Sequence, residues 1–351
     1  MVRLKDIAEV AGVSIGTVSK VLNGSQGQQY FGEDCIKRIR DAARKLGYVP
    51  NYHARSLQTG RARALGLVLS SSGLHQEGWE HFWALMMRGI FDHARELGYH
   101  VVSVTSTESD PHDSIDVGLQ FLRESRIDAL IVPPFDEVLN RHFNFPSDLG
   151  PIILIDQPQA DMPGVELNGS IGIRKAVEHL ASLGHKAIAW ARPPAAYNWT
   201  VEPRQKAFHE AAAELGLESR DVEVGFRLGR EKESLGERIA MARRTFLESR
   251  RSLDAVTAVV CYEESIALGL YAAAAQLGKS IPEDLSVVGF DDIFASIAWP
   301  PMTVVSHMLP ELGKVAVEMA VARIENAGES ERLRHIGAEL VVRASTAAAQ
   351  G

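Results

Sequence analysis

The sequence predicts a small all-α head joined to an α/β core of two doubly wound parallel sheets. Three observations predict it. The first 57 residues or so show helical spacing in short segments. From Leu65 onward, apolar runs of four to eight residues alternate with amphipathic stretches. Charge divides at nearly the same place: residues 1–63 hold eleven Lys/Arg against five Asp/Glu, a net +6, while the remainder holds 26 against 40, a net −14.

In the head, Leu4, Ile7, Ala8 and Ala11 recur at helical spacing, and Gly12 stops that helix. Ser14 is a good N-cap for a second helix with an apolar face of Val18, Val21 and Leu22. Asn23-Gly24-Ser25 ends it. A third helix shows Ile36, Ile39, Ala43 and Leu46, with Gly47 just past its end. Pro50 suits entry to a further helix, but residues 51–57 are too few to hold one alone. Helices this short bury little, so the head is expected to be marginal by itself.

Strands are expected at Leu65–Ser70, His100–Thr105, Ala129–Pro133, Ile152–Asp156, Ala187–Ala191, Val256–Cys261 and Leu285–Phe290. Helices between them end repeatedly in Leu-Gly, at Leu97-Gly98, Leu183-Gly184, Leu215-Gly216 and Leu277-Gly278. Continuous apolar strands alternating with helices mean parallel sheets covered on both faces. So many strands suggest two sheets. Ligands then sit at strand carboxyl ends, in the cleft between the halves.

Composition excludes several classes. No apolar run reaches the ~18 residues of a membrane span. The opening Met-Val-Arg-Leu-Lys-Asp has no signal core, so nothing argues for export. Two cysteines, Cys35 and Cys261, fall in different expected domains and suit a reducing cytoplasm. A basic head on an acidic body suggests a polyanion-binding end.

Catalytic patterns are scarce. Gly-x-Gly-x-x-Gly, Walker A and His-Glu-x-x-His runs are absent. Gly12-Val13-Ser14-Ile15-Gly16 fits Gly-x-Ser-x-Gly, yet a nucleophile elbow needs a buried strand before it and a helix stands there, so Ser14 is read as a cap. His75, Glu77 and His81 are spaced as solvated loop residues better than as a metal site. The sequons at Asn23, Asn168 and Asn198 matter only in a secreted chain. No cofactor and no metal are expected.

Several motifs together resemble the lactose-repressor (LacI/GalR) family of bacterial transcription regulators. They are Asp6–Asn23, Ala42–Asn51, His179–His185, Ile281–Asp292, Pro300–Thr303 and Glu339–Thr346, in that order. The resemblance implies a helix-turn-helix domain over 1–50 and a hinge helix with linker over 51–63. It implies a core like the periplasmic sugar-binding proteins, with an N-subdomain of 64–159 plus 308–336 and a C-subdomain of 160–307 plus 337–351. It implies a homodimer on double-stranded, pseudo-palindromic operator DNA, switched by a small sugar-like effector, in the cytoplasm and at the nucleoid.

On the DNA side, the resemblance places Ile15, Gly16 and Lys20 at base edges. Gly16 departs from the larger residue common there. Ser14, Thr17, Ser19 and Asn23 fall at phosphates, where they set register. Asn51 opens the hinge, Ala54 lets paired hinge helices approach, and Leu57 matches a minor-groove wedge. The stretch Ser25–Phe31 is about three residues longer than usual.

On the effector side, the resemblance carries over Asp156, Arg204, Glu264, Asp291 and His307. Carboxylates with an arginine grip vicinal hydroxyls, which suits a sugar or sugar acid. Trp79, Phe82 and Trp83 are candidates to stack on a ring, with core packing as the alternative. Two departures stand out: Glu263-Glu264 where the family often has Asn-Asp, and Asn168-Gly169 where it has Asp-Asn. The rival readings are a transport solute-binding protein, which needs an export signal, and an α/β enzyme, which needs a cofactor loop or acid/base pair. Neither feature is found.

Overall fold

The computed structural model describes residues 2–22, 30–49, 56, 60–69, 80–105, 111–134, 145–146, 149–156, 162–195, 200–226, 234–325 and 331–350. They form two compact units, Met1–Arg63 and Ala64–Gly351.

The first unit packs α1 (Leu4–Ala11), α2 (Ile15–Leu22) and α3 (Glu33–Leu46) around Ile7, Ala8, Ala11, Val18, Val21, Ile39, Ala42 and Ala43. Half of those residues are alanine, so the head has a small core, as the helix lengths require. Gly12 and Gly47 end α1 and α3 in left-handed backbone, which glycine adopts without a Cβ penalty. No side chain caps α1, but the Asp6 carboxylate accepts the Arg3 N–H at 2.8 Å.

The second unit holds two six-stranded sheets. In chain order its elements are β1 (Ala64–Val68), α4 (Glu80–Glu96), β2 (His100–Val104), α5 (Pro111–Arg123), β3 (Ala129–Val132), β4 (Ile152–Ile155), β5 (Gly164–Asn168), α6 (Gly169–Ser182), β6 (Ala187–Arg192), α7 (Val201–Glu214) and β7 (Glu218–Glu223). Then follow α8 (Leu235–Glu248), α9 (Arg250–Asp254), β8 (Ala258–Cys261), α10 (Glu264–Gln276), β9 (Ser286–Asp291), β10 (Thr303–Ser306), α11 (Leu309–Glu325), β11 (Leu333–Gly337) and β12 (Glu339–Val341).

The first sheet runs β11-β5-β4-β3-β1-β2, parallel throughout. The second runs β12-β10-β9-β8-β6-β7, parallel except that β12 pairs antiparallel with β10. Central strands are buried along their whole length, which is why they read as unbroken apolar runs. Strands β5, β7, β11 and β12 carry polar residues and gave no such run. Close approach of α4 to α11 requires Gly89, whose missing Cβ would collide with the Pro310 carbonyl oxygen.

The chain crosses between the sheets three times: from β5 into α6, from β10 into α11, and from β11 into β12. The subdomain boundary expected at 159/160 therefore lies at 168/169, because Leu154 and Ile155 of β4 pair with Gly164 and Val165 of β5. Likewise Gly337 still pairs with Asn168 in the first sheet, which moves the last crossing beyond it.

Candidate DNA-reading helix and effector cleft

Ser14 caps α2: its Oγ accepts the Thr17 N–H at 3.1 Å and lies 2.9 Å from Thr17 Oγ1. That bond uses Ser14 locally. Val18 and Val21 point into the head core, which leaves Ile15 outside it at 53 % exposure. An exposed β-branched residue at a helix start is not packing the head. Gly16 and Lys20 are exposed as well, and a Cβ on Gly16 would meet only Ser14 Oγ at 3.7 Å. Thr17 and Ser19 are half-buried beside them. Asn23, Asn51, Ala54 and Leu57, and most of the Ser25–Phe31 stretch, lie outside the described residues.

In the core, β4 and β9 carry Asp156 and Asp291 at their carboxyl ends, one from each sheet. Both have positive φ, 50° and 102°. Aspartate tolerates this better than most residues. Arg204 sits one turn into α7 and is buried. Its guanidinium carbon lies 4.0 Å from the centre of the Phe290 ring and 4.7 Å from that of Tyr262. Nη1 donates to the Tyr262 carbonyl at 3.4 Å, and Nη2 lies 3.3 Å from His307 Nε2.

The charges of this cluster interact. Burial pushes the Asp156 carboxyl up to about 6 and that of Asp291 to about 7, each opposed by the Arg204 charge. Asp156 Oδ1 also accepts the Leu167 N–H at 3.1 Å. Burial first, then the Arg204 charge, hold His307 well below its ordinary value, so its ring is neutral. Phe290 packs edge-on to that ring at 4.5 Å. Arg204, His307 and Asp291 thus meet directly, and the Arg204 charge reaches Asp156.

Two further expected effector residues make structural contacts. Glu264 is the first residue of α10, and its carboxylate accepts the N–H groups of Ile293 at 3.0 Å and Phe294 at 2.8 Å. It ties down the turn after β9, close enough to Asp291 to feel its charge. Burial pushes it up to about 8. Phe82 is in the core of the first sheet with Trp83 and Met86, which is the packing alternative for these aromatics. Trp79, His75 and Glu77 are outside the described residues. His81 instead meets the ring of Phe294 at 5.5 Å, and among the described residues no metal-holding group of acidic, His and Cys side chains occurs.

Sequence reasoning missed Tyr262, Phe290 and the buried pair Arg238–Glu263. Arg238 Nη1 lies 3.3 Å from Glu263 Oε1, which also accepts from Ser265 Oγ. The signal for Glu263 was its place beside Glu264. One is the extended N-cap of α10 and the other its first helical residue, so neighbours in sequence face different surroundings.

A capped, outward-facing second helix in a three-helix head, together with a two-sheet core that gathers buried charge from both sheets, defines a DNA-binding regulator controlled by a small molecule. Residues 3–51 match the model of bacterial regulatory proteins of the lacI family, and residues 177–346 match a periplasmic binding protein-like domain. The head thus matches the lacI family of bacterial regulatory proteins, and the core matches a binding-protein-like domain.

Relatives agree along the whole length. The HTH-type transcriptional repressor PurR of Photobacterium profundum is 28% identical over 352 residues, covering 98% of both chains. The ribose operon repressor of Escherichia coli is 27% identical over 333 residues, covering 92% of this chain and 93% of its own. Among solved structures, the lac repressor dimer bound to operator and the anti-inducer ONPF superposes with a TM-score of 0.72, at 23% identity and 99% coverage of both chains. The transcriptional regulator CelR–cellobiose complex gives 0.60, at 24% identity, with 98% of this chain and 100% of that one covered. At these identities the structures show the fold.

Proposed function

We propose that the chain is a cytoplasmic repressor, and no enzyme, that binds operator DNA as a homodimer and releases or tightens its hold when a sugar-like effector enters the core cleft. In this reading Ile15, Gly16 and Lys20 face bases, and Ser14, Thr17 and Ser19 lie along phosphates. Asn23, Asn51, Ala54 and Leu57 complete the DNA contacts. Asp156, Arg204, Asp291 and His307 grip the effector.

One observation carries the reading: at the end of a second-sheet strand, Arg204 Nη2 and Asp291 Oδ1 both approach His307 Nε2, at 3.3 and 3.4 Å, while Asp156 follows directly on a first-sheet strand. A polyol bridging those groups has different contacts in open and closed clefts. Differential contact is the condition for a ligand to shift an equilibrium.

Gel-shift titration on DNA upstream of the chain's own gene, at low salt and with candidate sugars, tests it. The expected result is a specific complex whose midpoint moves with one sugar. No complex at any ionic strength, whatever sugar is present, overturns the reading.

A further inference from the structure

Gly169 is the first residue of α6, at the crossing from one sheet to the other, and it is buried. Its backbone lies outside the left-handed region, so any L-residue can adopt it. Alanine is also the better helix former. Neither local geometry nor propensity asks for glycine here.

The neighbours do. A Cβ at 169 would stand 2.8 Å from Nε of Arg204, 3.4 Å from its Cζ, and 3.1 Å from Cζ of Phe290. The Arg204 Nε is buried and has no hydrogen-bond partner among the described residues. The guanidinium thus lies over the rings of Phe290 and Tyr262 and beside a bare stretch of backbone. A side chain would displace the end of the arginine most and the Phe290 ring by a few tenths of an ångström, so the cleft takes the larger share of the change.

From this we infer that Gly169 is the positioning residue for Arg204 and thereby sets the charge class of effector. With no side chain at 169, the guanidinium lies back on the two rings and leaves room for an uncharged polyol. With a side chain there, it swings forward and offers its fork to a carboxylate, the group it matches bidentately. This rests on the proposal that the cleft binds a sugar.

Two measurements on the full chain test it and can fail separately. The first is a thermal-melting cycle of wild type, G169A, R204A and G169A/R204A. Gly169→Ala is expected to lower Tm in the wild-type background and to be neutral or stabilising with Arg204 gone, a difference of at least about 2 °C. Equal effects in both backgrounds overturn the positioning role. The second is calorimetric titration with matched pairs, D-glucose with D-glucuronate and D-galactose with D-galacturonate. Wild type is expected to prefer the neutral member. G169A is expected to move that preference about tenfold toward the acid, and G169A/R204A to show no further change beyond R204A. An unchanged ranking in G169A overturns the specificity role. A wild-type chain that binds neither member of any pair defeats the sugar reading, and the melting cycle alone then decides the positioning role.

Discussion

Arg204 Nη2 lies 3.3 Å from His307 Nε2, and the same ring nitrogen stands 3.4 Å from Oδ1 of Asp291. One ring nitrogen cannot serve as acceptor and donor at once. The His307 ring is neutral, and an arginine N–H can only donate, so Nε2 is assigned as the acceptor and the ring proton sits on Nδ1. Asp291 therefore receives no proton from the histidine and keeps its oxygens for a ligand hydroxyl.

His307→Ala removes that acceptor and leaves a buried guanidinium N–H unmatched. The core should lose about 1–3 kcal/mol. His307→Gln restores an acceptor oxygen and should recover most of it. Scanning calorimetry of both variants checks this, and equal losses would rule out the assigned bond.

Glu264 gives the unliganded core a pH dependence. Its folded value is raised from 4.5 to about 8, mainly by burial. A raised carboxyl means the folded state holds the proton more tightly than the unfolded chain. Its stabilising contribution is complete below 4.5 and is lost as pH climbs through about 8. Asp156 and Asp291 act in the same direction over lower ranges. Tm of the wild type should fall between pH 5 and 8, and the slope should be shallower in Glu264→Gln, which cannot ionise. Parallel slopes would show that Glu264 does not titrate there.

Ile15 lies outside the head core, so Ile15→Ala should change thermal stability by no more than about 0.5 kcal/mol. It should still weaken operator binding, through loss of contact with a thymine methyl. Gly16→Gln has open space around it and should change which bases are preferred. Selection from a random-site DNA pool measures both effects. Identical preferred sites for wild type and G16Q would remove Gly16 from the base-reading face.

Gly89 makes the opposite test to Gly169. A Cβ there meets backbone, the Pro310 carbonyl, where nothing flexible can yield. Gly89→Ala should cost more than about 2 kcal/mol by forcing α4 away from α11. A Tm within a degree of wild type would mean that the helices separate freely.

Much of this was legible in the chain. Val18 and Val21 bury together, as an i, i+3 pair on one helix face should, while Ile15, a turn before Val18, stays exposed at the first residue of the helix. Strands such as Ala129–Val132 and Ile152–Ile155 were visible because both faces are covered and no polar residue interrupts them. Gly164–Asn168 and Leu333–Gly337 carry more exposed residues near a sheet edge, and hydrogen bonding to a neighbour made them strands. That is why the subdomain boundary lay nine residues later than expected.

The sequence by itself determined the helical period of the head, the serine cap, the alternation that builds two parallel sheets, and the motifs that resemble the lacI family. Each of these is local, a matter of spacing and residue type. Only the tertiary structure decided which charges meet. Glu263 and Glu264 are adjacent, yet one pairs with Arg238 and the other holds the backbone of Ile293 and Phe294. Gly169 and Arg204 are 35 residues apart, yet a Cβ on the first would press against the guanidinium of the second. Contacts of that kind depend on where three sheet crossings bring the chain, and no periodicity encodes them.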